Sequence, residues 1–160
     1  MSGDEFVTGL DFPEYSQHTL ELWDNIAGWW DDAIGDGNRT QDLLEAPSDR
    51  LLRIEPGDRV LDIACGAGRY ARRMAEAGAI ITAIDQSEAF LSRARQRSQG
   101  YEESITYRQI DAADREALLA LGESQFDAAV CTMAIMDMAV ISPLISTLPA
   151  LLKPGAPFVF

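Results

Sequence analysis

From Arg59 to Phe160 the chain alternates short apolar runs with helical stretches, and this pattern narrows the choice of folds more than any other feature. Residues 59–64, 79–84, 104–110, 126–132 and 157–160 read as strands. Helices are expected between them: from Gly68 to about residue 77, from Ser87 to Gly100, over residues 114–121, and from Pro143 to Gly155. Strands that are apolar along their whole length are buried on both faces, and an intervening helix carries the chain back for parallel pairing. The expected architecture is therefore α/β, a parallel sheet with helices on both faces. Pro149 falls inside the last helix. A proline there removes a hydrogen bond and crowds the preceding turn at a cost of about 3 kcal/mol, so a kink or break is expected near residues 146–149.

The segment ahead of the first strand reads differently. Leu20, Trp23, Ile26, Ala27 and Trp30 recur at helical spacing within residues 13–33. Gly35-Asp36-Gly37-Asn38 is a break. A second helical region covers residues 40–53, with Leu43, Leu44, Leu51 and Leu52 as its apolar positions and Pro47 opening a second piece. The formal net charge of −13 is concentrated here: residues 1–50 carry 12 acids against two bases, and the remainder 14 against 11. A field of that sign repels phosphate backbones and anionic lipid, which argues against a nucleic-acid or membrane-surface partner. No apolar run approaches the ~20 residues of a membrane span. The start, Met-Ser-Gly-Asp-Glu, lacks the basic-then-apolar order of a signal peptide, so the expected location is the cytoplasm. Cys65 and Cys131 lie far apart in apolar runs and there is one histidine, a supply from which the usual metal-site spacings cannot be built. Both thiols are expected to act as small buried hydrophobes.

The sharpest motif is Leu61-Asp62-Ile63-Ala64-Cys65-Gly66-Ala67-Gly68, which runs from a strand into a helix. Gly66 and Gly68 let the backbone turn tightly and approach a ligand, and the following helix start presents N–H groups. Two ligand classes fit. Residues 66–71 match GxGxxA, and Asp85 follows Gly66 by 19 residues, a pattern that by itself describes a NAD-type dinucleotide-dependent oxidoreductase. Asp62 favours another ligand, because a carboxylate at the strand end repels a pyrophosphate and suits an ammonium and a sulfonium. The 58 residues ahead of the first strand point the same way, since the simplest dinucleotide domains begin on that strand.

Later segments complete an ordered series: Asp62-x-Ala64-Cys65-Gly66-x-Gly68, the strand-end Asp85, Asp111 after the third strand, Phe126-Asp127-Ala-Ala-Val, and Leu151-Leu152-Lys153-Pro154-Gly155. Over residues 57–160 this series resembles the class I S-adenosylmethionine-dependent methyltransferases. The resemblance implies a Rossmann-like sheet of order 3-2-1-4-5, with residues 1–55 as a helical lid and residues 56–160 as the cofactor domain. It implies S-adenosyl-L-methionine as cofactor and a small-molecule N, O, S or C nucleophile that attacks the sulfonium methyl in line. The loop from Asp62 to Gly68, with Ala64, Cys65 and Gly66, would hold the methionine part, Asp62 accepting from its amino group. Asp85 would take the ribose hydroxyls and Gln86 would border the adenine. Asp111 would accept from the adenine amine, and the Ala112 N–H would face a ring nitrogen. Thr132 and Met133 would line the transferring methyl, with residues 132–138 as the acceptor floor. The catalytic residue stays unassigned, with Asp137 and His18 as candidate bases. Ala64 replaces the first loop glycine of the family's common form.

Members of the family continue past the fifth strand with a helix and two further strands that this sequence does not contain. The fifth strand is therefore expected at an edge open to self-association, and a truncated cofactor-binding module without turnover stands as a further alternative. Simpler roles are expected for other residues. Of Trp29 and Trp30, which project about 100° apart on a helix, one packs while Trp30 faces the ligand. Arg69, Arg72 and Arg73 read as a solvated helix face paired with nearby acids, Met133, Met136 and Met138 as core filler, and His18 as exposed.

Overall fold

The computed structural model describes residues 13–34 and 39–160. The expected break at residues 35–38 and the acidic start of the chain lie outside the described residues. Apolar side chains from residue 59 onward build a sheet around β1 (Arg59–Ile63). The chain then forms β2 (Ile80–Asp85), β3 (Ile105–Gln109), β4 (Ala128–Val130) and β5 (Phe158–Val159). All pairings are parallel and the order is β3-β2-β1-β4-β5, as the motif series implied. The first helices, α1 (Pro13–Ile34) and α2 (Arg39–Leu52), precede the sheet. Helices α3 (Arg69–Glu76), α4 (Glu88–Arg97), α5 (Arg115–Leu119) and α6 (Ser142–Leu151) link the strands.

Successive strand residues point to opposite faces, and this divides the core in two. On one face Leu61, Ile63, Ile84 and Ala129 pack with Leu118 of α5 and Leu144, Leu148 and Leu151 of α6. On the other, Val60, Ile81, Ala83 and Val130 pack with Tyr70, Ala71 and Met74 of α3 and Leu52 of α2. Each buried Val, Leu, Ile or Met among them contributes about 1.5–3 kcal/mol. The same period of two puts Asp62 on the face of Val60, and Asp85 on the face of Ile81 and Ala83. Register places Asp62 beside Ala83. Both carboxylates thus emerge together at the α3 side of the strand ends.

The helix starts have ordinary chemical causes. The Ser87 hydroxyl accepts from the Phe90 N–H at 3.1 Å and caps α4. Asp114 accepts from the Ala117 N–H at 3.0 Å and caps α5. Two proline expectations are corrected. α2 is one helix, not two pieces, with Pro47 inside it. The carbonyl that Pro47 cannot serve belongs to Leu43, which is exposed and open to water, and the Ser48 hydroxyl donates to the next carbonyl, that of Leu44. α6 also runs unbroken through Pro149. The bereft carbonyl there is that of exposed Ile145, while buried Leu144, Leu148 and Leu151 hold the helix to the core on both sides of the proline. α6 ends at Leu151 rather than Gly155, because Leu152 pairs with Phe126 in a parallel bridge.

Candidate functional site

The loops that leave the C-terminal ends of β1 to β4 open on one cavity of about 190 Å³. It lies where the strand order reverses between β1 and β4, the position at which open parallel sheets bind ligands. α1 and α2 cover it.

The loop after β1 is left-handed at Ala64, Gly66 and Gly68, with φ of 55°, 53° and 73°. Gly68 has a second reason to lack a side chain. A Cβ there would lie 2.1 Å from the Tyr107 hydroxyl oxygen, which is itself hydrogen-bonded to Ser98 at 2.8 Å. Ala64 has no such freedom, and neither has Met133 after β4 at φ 56°. An L-residue in this conformation costs roughly 1–2 kcal/mol. Both residues stand on the cavity wall, where strain of this kind gathers in functional sites.

Asp85 ties the wall together. Its Oδ2 accepts from the Gly66 N–H and its Oδ1 from the Ser87 N–H, both at 2.9 Å. Burial raises its pKa, and the backbone donors Ser87 and Gly66 work against that rise. Asp62 is more isolated. It is 2% exposed and its Oδ2 has no hydrogen-bond partner among the described residues. Burial first, then the charges of Asp85 and Glu45, push its carboxyl up to about 8. Burial, followed by the Asp62 and Asp85 carboxylates, likewise raises the Cys65 thiol, which disfavours thiolate chemistry at that wall. Cys65 is only partly buried, against expectation, because it faces the cavity; Cys131 is buried as expected.

Beyond β3, Asp111 accepts from the Ala113 N–H at 2.8 Å and lines the cavity beside Ile110 and Ala112. After β4 the wall continues through Thr132, Met133, Ala134, Asp137 and Met138, the last residues shaped by a 3-10 turn over Ile135–Asp137. From α1, Trp23 meets Trp30 edge-on at 5.2 Å between centroids and Phe90 of α4 at 6.1 Å. α2 is fastened to α3 by Arg69, whose Nε donates to buried Glu45 at 2.7 Å, and by Arg73, which donates to Asp49 at 2.6 Å.

The structure brings Asp62, Ala64, Cys65, Gly66, Asp85, Gln86, Asp111, Ala112, Thr132, Met133 and Trp30 to this one cavity, and Asp137 with them. Gly68 is not on the wall; it caps α3 beneath the loop. His18 stands exposed on α1 and outside the lining. Arg72 is corrected from solvated to buried, since its Nη1 turns inward to the Ala67 carbonyl at 2.8 Å. Met136 is exposed rather than core filler, and only Met138 of the three methionines packs on the core. Sequence reasoning missed Trp23, Phe90, Tyr70, Asp31 and Glu45 on the wall. Trp23 was reachable, because it lies seven residues before Trp30 and so on the same helix face. Asp31 and Glu45 gave no signal, being acids on acidic helices.

Comparison with known proteins agrees with this arrangement. Residues 60–155 match the model of the methyltransferase domain family. The ubiquinone biosynthesis O-methyltransferase of Alkalilimnicola ehrlichii is 32% identical over 147 residues, 89% of this chain and 58% of that protein. A SAM-dependent methyltransferase from Geobacter sulfurreducens, solved with S-adenosyl-L-homocysteine, is 28% identical with a TM-score of 0.59, over 72% of this chain and 46% of the other. The [4+2]-cyclase SpnF superposes with a TM-score of 0.78 at 24% identity, over 90% of this chain and 59% of its own. That likeness shows the fold alone, and a shared fold does not fix a reaction. The α/β sheet and the strand-end carboxylates define a Rossmann-like ligand-binding domain. The chain belongs to the methyltransferase domain family, and the dinucleotide reading is not favoured. It spans about half the length of the curated relatives it matches.

Two outcomes follow. Replacing Ala64 with Gly removes a strained Cβ and is expected to raise the unfolding free energy by about 0.5–1 kcal/mol in urea titration; a loss of stability would show that the loop is unstrained. Asp62 titrates near 3.8 when unfolded and near 8 when folded. Between those values the native protein keeps a proton that the unfolded chain has lost, so this group makes stability fall as pH rises through that window. Asp62→Asn removes the effect. The variant's stability relative to the parent is expected to increase from about pH 4 to about pH 8; a constant difference would remove Asp62 as the cause.

Proposed function

We propose that this chain binds S-adenosyl-L-methionine and serves transfer of its methyl group to a small-molecule nucleophile, leaving S-adenosylhomocysteine, with residues 1–55 as lid and 56–160 as cofactor domain. The observation that carries the reading is the buried, unpartnered Asp62 Oδ2 on the cavity wall. A buried carboxylate oxygen without a donor is costly, and a ligand ammonium supplies both the missing donor and a charge that favours the ionised form. The other donors and acceptors fit the same molecule. Each Asp85 oxygen already holds one backbone N–H and keeps acceptor capacity for one of two vicinal hydroxyls. Gln86, Asp111 and Ala112 form the end suited to adenine, with Ile110 as an apolar neighbour. Bound S-adenosylmethionine supplies an activated methyl on a sulfonium.

The chain's own part is positioning and exclusion of water. Trp30 and Trp23 cover the cavity from α1, and Thr132, Met133, Ala134 and Met138 form the floor against which an acceptor lies. Asp137, on the cavity wall, is the candidate base for an acceptor that carries a proton; the exposed His18, outside the lining, has the weaker claim. The acidic surface supports a small molecule rather than nucleic acid as acceptor. No helix among the described residues is long and apolar enough to cross a membrane.

Calorimetry is expected to show binding of S-adenosylhomocysteine and none of NADH; the reverse result would sink the reading. Asp85→Ala is expected to weaken S-adenosylhomocysteine by roughly tenfold to a hundredfold, the worth of hydrogen bonds to a charged acceptor. Unchanged affinity would discard the ribose role. Binding without methyl transfer to a panel of amine and hydroxyl acceptors would leave a cofactor-binding module.

A further inference from the structure

Two buried side-chain oxygens lack a hydrogen-bond partner among the described residues, and both belong to acids of the same cavity wall. One is Asp62 Oδ2. The other, Asp31 Oδ1, has no place in the reading so far. Asp31 is 3% exposed on α1. Its Oδ2 accepts from the Nε of Arg93 at 2.6 Å and from the Nε of Arg97 at 2.7 Å, so two guanidinium groups on α4 fix the plane of the carboxylate. A buried acid needs such partners. They do not explain why its second oxygen is left without one.

The position of Asp31 along α1 identifies what it faces. α1 lies lengthwise over the site. Near its start, Ser16 and Thr19 line a small cleft with Gln86, Asp111 and Asp137. Midway, the Ser87 hydroxyl donates to Asp24, and Trp23 meets Phe90. Asp31 lies 12 residues beyond Thr19, about 18 Å of helix. It is therefore at the opposite end of the cavity from Asp111 and Asp137. The wall at that end is completed by Ile34, Gln41, Glu45 and Arg69, which follows the glycine loop.

We propose that Asp31 is a cofactor-reading residue of the lid: its Oδ1 accepts a hydrogen bond from the ammonium at the amino-acid end of the bound cofactor, or from a water held by that group. The inference rests on the cofactor reading above. An ammonium carries three N–H donors, so Asp62 leaves two for other acceptors. A carboxylate held rigid before the ligand arrives loses little freedom on binding. The same contact ties α1 to the ligand, because Asp31 is already fastened to α4.

The test compares two ligands that share the nucleoside thioether and differ in the amino-acid end, S-adenosylhomocysteine and 5′-methylthioadenosine. In Asp31→Asn the amide oxygen still serves the arginines, while the free oxygen becomes a donor. S-adenosylhomocysteine is expected to bind about tenfold more weakly, with 5′-methylthioadenosine unchanged in calorimetry. Asp31→Glu, which keeps the charge for Arg93 and Arg97 but moves the carboxylate, is expected to show the same selective loss and serves if the amide variant does not fold. Asp32→Asn is the control. Asp32 is exposed and engages the same arginines at 2.6 and 3.7 Å, and its loss is expected to change neither affinity. Equal weakening of both ligands would make Asp31 a structural clamp only and overturn the proposal, as would unchanged affinities in both Asp31 variants. A parent chain that binds neither ligand would overturn the cofactor reading and this proposal together. A parent that binds both, with intact Asp31 variants, overturns this proposal alone.

Discussion

The carboxylate of Asp85 holds the site in shape. One oxygen takes the N–H of Gly66 in the loop after β1, and the other takes the N–H of Ser87 at the start of α4. Two crossovers of the sheet are thereby joined across the crevice by a single buried side chain. The left-handed loop, the capped α4 and the cavity between them depend on it. A buried carboxylate with two backbone donors is stable there because the donors offset the loss of water. Asp62, two steps back along the neighbouring strand in register, leaves its Oδ2 without a partner among the described residues. Two acids on one sheet face therefore differ: one is held by two backbone donors and the other keeps an oxygen without a partner among the described residues.

The charge asymmetry of the chain has a structural use. The acids of α1 and α2 meet the arginines of α3 and α4: Asp31 with Arg93 and Arg97, Glu45 with Arg69, Asp49 with Arg73. Exposed pairs of this kind are worth little, about 0–1 kcal/mol. Asp31 and Glu45 are buried, and removing one partner of a buried pair costs several kcal/mol because the other charge is stranded. The two helices are thus held over the cavity partly by directional polar contacts, alongside the aromatic contact of Trp23 on α1 with Phe90 on α4.

Where the reading from sequence went wrong, a property of the packed state was missing from it. The prolines of α2 and α6 were expected to open a new piece and to kink or break a helix, yet each leaves unserved only a carbonyl at an exposed residue, and α6 is pinned on both sides by buried leucines. Arg72 was placed in solvent with its neighbours, but a helix only eight residues long puts one of three closely spaced arginines on its inner side, where the Ala67 carbonyl receives it. Gly68 was read as a ligand contact, and its absent side chain instead makes room for Tyr107, a residue 39 positions away. Local patterns do not contain such distant neighbours.

By itself the sequence determined the parallel α/β sheet, its strand order once the motif series was recognised, and the gathering of the strand-end residues at one crevice. Strand period, buried apolar runs and right-handed crossovers leave few other arrangements. Only the tertiary structure decided which acids are satisfied and which are open. Asp31, Glu45 and Asp62 are ordinary carboxylates in sequence. Their partners come from arginines of other elements, or are missing, because burial and register are properties of the assembled fold. Long-range packing covers the cavity with an acidic helix and leaves one of its buried carboxylate oxygens without a partner among the described residues.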